Sequence, residues 1–335
     1  MQRALRLSLA LPIVAALAAC SSTAAPGDGA ASGDTITIEH AFGTTEIVGT
    51  PERVATVNWA NQDIALALGV VPVGMAAQTY GDDDGDGVLP WTAEALDELG
   101  AETPALFDET DGIDFEAVAE SDPDVILASY SGLTEEDYAT LSEIAPTVAF
   151  PEYAWGTPWR ESLAITGQAL GLEDEAAAVQ ADIEAQIAAA TEGSAFAGLS
   201  TAMVFVDPTD LSTISAYTPL DTRVQYLEDL GLTTAGSVTS LGEANEGQFF
   251  GAVSAERADT FDDVDLFVAY GDQSLLEAMQ ADPLLGTIPA IRSGAVALLT
   301  DGTPVAAALT PTPLSIPWAL DDYVTTFDAA AQQVP

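Results

Sequence analysis

From residue 53 onward, short apolar runs alternate with stretches of helical spacing. Arg53 to Val57 reads as a buried strand. Asp63 to Leu68 places apolar residues at helical intervals and stops at Gly69, and Val70 to Met75 reads as a second strand. Trp91 to Leu99 predicts a helix ended by Gly100, Phe115 to Ala119 a short helix, and Val125 to Ala128 and Thr147 to Phe150 two further strands. Between those two strands Thr134 caps a helix that runs to Ile144, with Asp137 at the capping-box position. Strands that alternate with helices imply parallel βαβ units.

The same logic returns later in the chain. Met203 to Val206, Val264 to Ala269 and Ala295 to Leu299 read as strands. Val224 to Leu230 (stopped by Gly231), Leu275 to Met279 and Ile316 to Ala330 read as helices. The two blocks are separated by an alanine-rich helical stretch that opens at Thr157-Pro158 and runs to Thr191, weakened at Gly167 and Gly171, with a bend or break expected near Gly171. The expected fold class is therefore α/β, with two α/β lobes joined by one long interlobe helix. The expected boundaries are an N-terminal lobe at 35–152, a connecting helix at 153–193 and a C-terminal lobe at 194–335. A cleft between two such lobes is a common place for a small ligand.

The first residues carry a different signal. Arg3 and Arg6 precede an apolar run, Leu7 to Ala19, that is shorter than the ~20 residues of a membrane-spanning helix. This fits a secretory signal peptide at 1–19. Leu17-Ala18-Ala19-Cys20 resembles the bacterial lipoprotein box, which implies lipidation at Cys20, the chain's one cysteine. Residues 20–34 then form a flexible tether of small and polar residues. The expected location is extracytoplasmic, on the outer face of the cell membrane.

Composition narrows the chemistry. The formal net charge is −46, from 53 acids against 7 arginines and no lysine. Such a surface repels nucleic acid, whose binding depends on cations. A single histidine, His40, excludes a two-histidine metal site, and because it precedes the expected core it is a poor catalytic base. No carboxylate pair stands out for acid–base work, so no catalytic residue, resident metal or cofactor is assigned. A lipid-anchored carboxylate hydrolase is kept as the enzymatic alternative. Asp82, Asp84, Asp86 and Gly87 match the first half of a calcium loop, but Ala93 stands where its closing glutamate belongs; a solvated acidic loop is the preferred reading.

Ligands of α/β lobes bind beyond the carboxyl ends of strands. Aromatic residues recur there: Trp59, Tyr80, Tyr130 and Trp155 in the first lobe, Tyr217 and Tyr270 in the second. They suit a bulky, partly apolar ligand. Arg160 and Arg223, at helix starts, are the arginines placed to face it, whereas Trp159 and Phe249 read as core.

The ordered segments His40-Ala41-Phe42-Gly43, Pro51-Glu52-Arg53-Val54, Ala65 to Gly74, Phe115-Glu116-Ala117-Val118, Asp122-Pro123-Asp124-Val125, Tyr130 to Thr134, Leu227 to Gly231 and Ser254-Ala255-Glu256-Arg257 resemble the siderophore- and cobalamin-type periplasmic binding proteins of ABC importers, in their lipoprotein form. The resemblance covers about residues 35 to 330. It implies two lobes on a long helix, a monomeric binding protein rather than an enzyme, a ferric siderophore as ligand, and Glu116 and Glu256 as docking points for the permease that a cytoplasmic ATPase drives. Cobalamin or haem is the alternative cargo. The scarcity of arginine in the expected cleft favours a neutral or cationic ferric hydroxamate over an anionic chelate.

Overall fold

Strands Val54–Thr56, Val125–Leu127 and Leu266–Tyr270 are buried at every position, as expected where a parallel sheet is covered on both faces. The structure is a computed structural model and describes residues 35–335; the expected signal peptide, Cys20 and the tether lie outside the described residues.

The N-terminal lobe begins with a hairpin, β1 (Thr35–His40) and β2 (Gly43–Val48). It continues as β3 (Val54–Thr56), α1 (Asn61–Ala67), β4 (Gly74–Ala76), α2 (Pro90–Glu98), β5 (Ala105–Phe107), α3 (Phe115–Glu120), β6 (Val125–Leu127), α4 (Glu135–Ile144) and β7 (Thr147–Val148). The five strands after the hairpin form a parallel sheet in the order β5-β4-β3-β6-β7. The strand order reverses between β3 and β6, which opens a crevice at their carboxyl ends. The capping box of α4 is formed as the spacing predicts: Asp137 N donates to Thr134 Oγ1 at 3.1 Å, and Thr134 N donates to Asp137 Oδ2 at 2.9 Å.

The connector breaks where the sequence weakens it rather than running as one uninterrupted helix. It is two helices, α5 (Trp159–Leu170) and α6 (Glu173–Ala190), broken at Gly171, whose φ of 69° lies in the left-handed region. The helices fold back on each other, so that Arg160 in the first turn of α5 pairs with Glu184 near the far end of α6. Glycine takes this φ without a Cβ penalty, and Gly167 lets the pair approach where a side chain would meet Ala176. Gln168 Nε2 ties α5 to β1 through Thr37 O.

The C-terminal lobe comprises β8 (Ser200–Asp207), β9 (Asp210–Tyr217), α7 (Thr222–Asp229), β10 (Thr233–Thr234), α8 (Gly236–Ala244), β11 (Phe250–Ser254), β12 (Leu266–Tyr270), α9 (Gln273–Ala281), α10 (Pro289–Ser293), β13 (Val296–Leu299), α11 (Pro304–Ala308) and α12 (Ser315–Ala331). Its sheet runs β11-β9-β8-β12-β13 with β10 beside the start of β8. The β8–β9 and β9–β11 pairs are antiparallel, and the others are parallel.

After β13 the chain returns to the first lobe. Asp63 of α1, fully buried, accepts hydrogen bonds from Trp91 Nε1 and Thr92 Oγ1 of α2, each at 2.7 Å, and from Thr312 Oγ1 at 2.8 Å. Trp318 packs against Trp91 at 5.2 Å between ring centroids. Burial pushes the Asp63 carboxyl up to about 6, against the opposing pull of its three donors.

Candidate ligand-binding cleft

The crevice at the carboxyl ends of β3 and β6 faces the matching edge of the C-terminal sheet. Trp59 follows β3, Tyr80 follows β4, Tyr130 follows β6, and Trp155 follows β7. Tyr217 and Tyr270 end β9 and β12, and Arg223 lies in the first turn of α7. These seven predicted residues line one cavity of about 440 Å³, together with Phe205, Asp221, Phe249, Asp301 and Thr310.

Backbone strain presents two of the aromatic residues. Asn58 and Trp155 have φ near +60°, unusual for side-chain-bearing residues. Asn58 is held by Glu109, which accepts from its N at 3.0 Å and its Nδ2 at 3.0 Å, and its own Oδ1 accepts from Gly132 N at 3.0 Å. Trp155 N donates to Ser131 O at 2.9 Å. The Trp155 indole lies so close over Gly132 that any Cβ at position 132 would collide with it. Edge-to-face contacts join Tyr130 with Trp155 at 5.4 Å and Tyr80 with Tyr270 at 6.3 Å.

Polar groups are few and paired. Arg223 grips the buried Asp221 through Nε and an Nη, at 2.8 and 2.6 Å, and stacks on the Tyr217 ring at 4.0 Å. Its other Nη faces Tyr270 OH at 3.4 Å. Burial works against the Arg223 charge, but Asp221 outweighs it and holds the guanidinium well above its usual range. Burial pushes the Tyr130 and Tyr270 hydroxyls up to about 12 and raises those of Tyr80 and Tyr217. The four phenols are therefore protonated at neutral pH, and act as hydrogen-bond donors rather than phenolates. Tyr80 OH already donates to Asp301 Oδ1 at 2.8 Å, and Thr222 Oγ1 lies 3.4 Å from Tyr130 OH; both pairs span the lobes.

A second chamber of about 440 Å³ continues into the N-terminal lobe past Trp59, Tyr80 and Trp155. Asn58, Gln78, Glu109 and Asp137 line it. Burial raises the Glu109 carboxyl, the hydrogen bonds from Asn58 lower it, and Asp137 raises it again.

Arg160 is not in the cleft. Because α5 turns back against α6, its guanidinium pairs with Glu184 at 2.6 Å and Asp229 at 2.7 Å and lies over Trp159 at 4.4 Å, in a separate recess. Trp159 is core, as expected, but Phe249, expected in the core, lines the cleft. Glu109 escaped the sequence reading because the three-residue strand before it, Ala105–Phe107, leaves no periodic signal. His40 does not precede the fold: it sits buried in β1, bonded to Thr45 Oγ1 at 2.9 Å and packed on Tyr138. Burial lowers its pKa. Asp82, Asp84 and Asp86 come together in a loop whose carboxylates bond mainly to its own backbone. Glu116 and Glu256 are exposed, each the second residue of a short helical turn, behind caps made by Asp114 and Ser254.

Two α/β lobes around an aromatic, donor-bearing cleft define a receptor for a small solute. Residues 54–303 match the periplasmic binding protein family, and the chain belongs to that family. Among solved structures it is similar to PiaA of Streptococcus pneumoniae in complex with ferrichrome, with 43% identity and a TM-score of 0.86, over 90% of this chain and 100% of that one. A solute-binding protein of Mycobacterium smegmatis matches at 27% identity and a TM-score of 0.71, over 89% of this chain and 99% of that one. Among curated relatives, the ferric enterobactin-binding protein FepB of Escherichia coli is 28% identical, over 76% of this chain and 81% of its own. The probable siderophore-binding lipoprotein YfiY of Bacillus subtilis is 31% identical over 180 residues, 53% of this chain and about half of its own length, 51%.

Proposed function

We propose that the protein captures a ferric siderophore of the hydroxamate type in the interlobe cleft and delivers it to the permease of an ABC importer. In this reading it is a binding protein without catalytic activity, held at the outer face of the membrane through lipidated Cys20. The observation that carries the hydroxamate reading is the Arg223–Asp221 pair. Among the described residues Arg223 is the one arginine lining the cleft, its charge is already matched by a buried aspartate, and the surrounding phenols are neutral donors. A ferric trihydroxamate core is neutral and presents oxygen acceptors on an apolar body, which suits this lining. A ferric triscatecholate carries three negative charges and would meet no net positive charge here. The likeness to PiaA, whose structure holds ferrichrome, supports the same choice. Glu116 and Glu256, one exposed on each lobe, would orient the loaded protein on basic pockets of the permease.

Titration of intrinsic tryptophan fluorescence with ferric hydroxamates, a ferric triscatecholate, cobalamin and haem tests the reading, with iron-free chelators as controls. Saturable submicromolar quenching by a ferric hydroxamate through Trp59 and Trp155 is expected. Tighter binding of the triscatecholate would overturn the hydroxamate assignment.

A further inference from the structure

We propose that the chamber on the N-terminal side of the cleft is a subsite for a protonated amine carried by the ligand, with Glu109 as its counter-charge. The inference rests on the siderophore reading above and names a substituent that the ligand would bear away from its iron.

The two chambers differ in chemistry. The one beside Arg223 holds that cation with two carboxylates, Asp221 paired to it and Asp301 accepting from Tyr80, whereas the one beside Glu109 holds two carboxylates, Glu109 and Asp137, and, among the described residues, no cation. Glu109 uses its carboxylate to hold Asn58, but two oxygens offer about four lone-pair positions, so capacity remains. Gln78 lines the same chamber and is only 4% exposed. Its Nε2 donates to Ala76 O at 3.0 Å while its Oε1 is left without a partner. Asp137 adds negative charge from the wall, although its own hydrogen bonds go to Thr134. Among the described residues, no arginine or histidine lines this chamber. A half-buried carboxylate with spare acceptor capacity, in a chamber whose wall adds a second carboxylate and, among the described residues, no cation, calls for a donor with positive charge. Trp59, Tyr80 and Trp155 border both chambers, so one ligand can lie along them, its chelate core at Arg223 and its ammonium at Glu109. If Glu109 served only to brace the left-handed backbone of Asn58, the charge of the ligand would not matter.

The test uses two ferric complexes of a linear trihydroxamate, one with a free terminal amine and one with that amine acetylated, which are identical around the iron. Dissociation constants are measured for the wild-type protein and for Glu109→Gln. The wild-type protein is expected to favour the ammonium form by about tenfold, the worth of one charge-assisted hydrogen bond. Glu109→Gln, which keeps one oxygen for Asn58, is expected to bring the ratio to about one. A second measurement needs no variant: rising salt should shrink the wild-type preference through screening. Equal binding of both ligands by the wild-type protein, or a preference that survives both Glu109→Gln and high salt, overturns the inference and leaves the siderophore reading standing. Failure to bind either ligand overturns the inference, and it overturns the siderophore reading as well when the panel of ferric hydroxamates named above also fails to bind.

Discussion

Asp63 offers a direct test of how the lobes are fastened. Its carboxyl is fully buried, and its rise from an ordinary 3.8 to about 6 means that the folded chain holds the proton more tightly than the unfolded one. Its contribution to stability is therefore fully present below about pH 4 and is lost as pH climbs through about 6. The difference is about 3 kcal/mol by pH 8. Asp63→Asn removes the charge and keeps the shape. Its carbonyl oxygen can accept from both Trp91 Nε1 and Thr312 Oγ1, which now share one carboxylate oxygen, and its amide can donate to the Thr92 hydroxyl, which is free to rotate. Urea unfolding followed at several pH values reads the difference between variant and wild type, in which the other carboxylates cancel. The variant should match the wild type near pH 4 and exceed it by about 2–3 kcal/mol at pH 8. A difference that does not change with pH, or a variant less stable at pH 8, would refute the reasoning.

Other outcomes follow from the cleft and the surface. Arg223→Met strands the buried Asp221 charge and should cost about 3–5 kcal/mol in urea unfolding; adding Asp221→Asn should restore much of that stability but not the affinity for a ferric hydroxamate. Gly132→Val should drive the Trp155 indole aside and weaken ligand binding about tenfold, read as a loss of fluorescence quenching. Glu116→Ala combined with Glu256→Ala should leave the ligand titration unchanged while cutting siderophore-supported iron uptake by cells at least about tenfold.

The legible parts of the fold were those with strong local signals. β6 and β12 announce themselves as unbroken apolar runs, and Thr134 with Asp137 marks the start of α4. Five of the six predicted aromatic residues were legible as a group because a parallel strand delivers whatever follows it to one edge of the sheet, while Tyr217 reaches the same cleft from the end of the antiparallel β9. Other features depended on contacts that spacing cannot express. Arg160 stands at a helix start like Arg223, and only the fold-back at Gly171 decides that it meets Glu184 and Asp229 instead of a ligand. The hairpin β1–β2 does carry an alternating signal, Thr35-Ile36-Thr37-Ile38, that went unread, and Phe249 is apolar enough to pass for core.

The route of the chain bears on how such a receptor can change its cargo over evolutionary time. The polypeptide passes to the second lobe through α5 and α6, returns to the first at Thr312 and Trp318, and closes against β13 with α12. Neither lobe is a contiguous, exchangeable cassette: an N-terminal half grafted onto a foreign partner would lose the threonine that completes the Asp63 staple and the indole that covers Trp91. Shuffling lobes between relatives is thereby disfavoured. New specificity has to come by point changes among the strand-end residues, with the scaffold inherited whole.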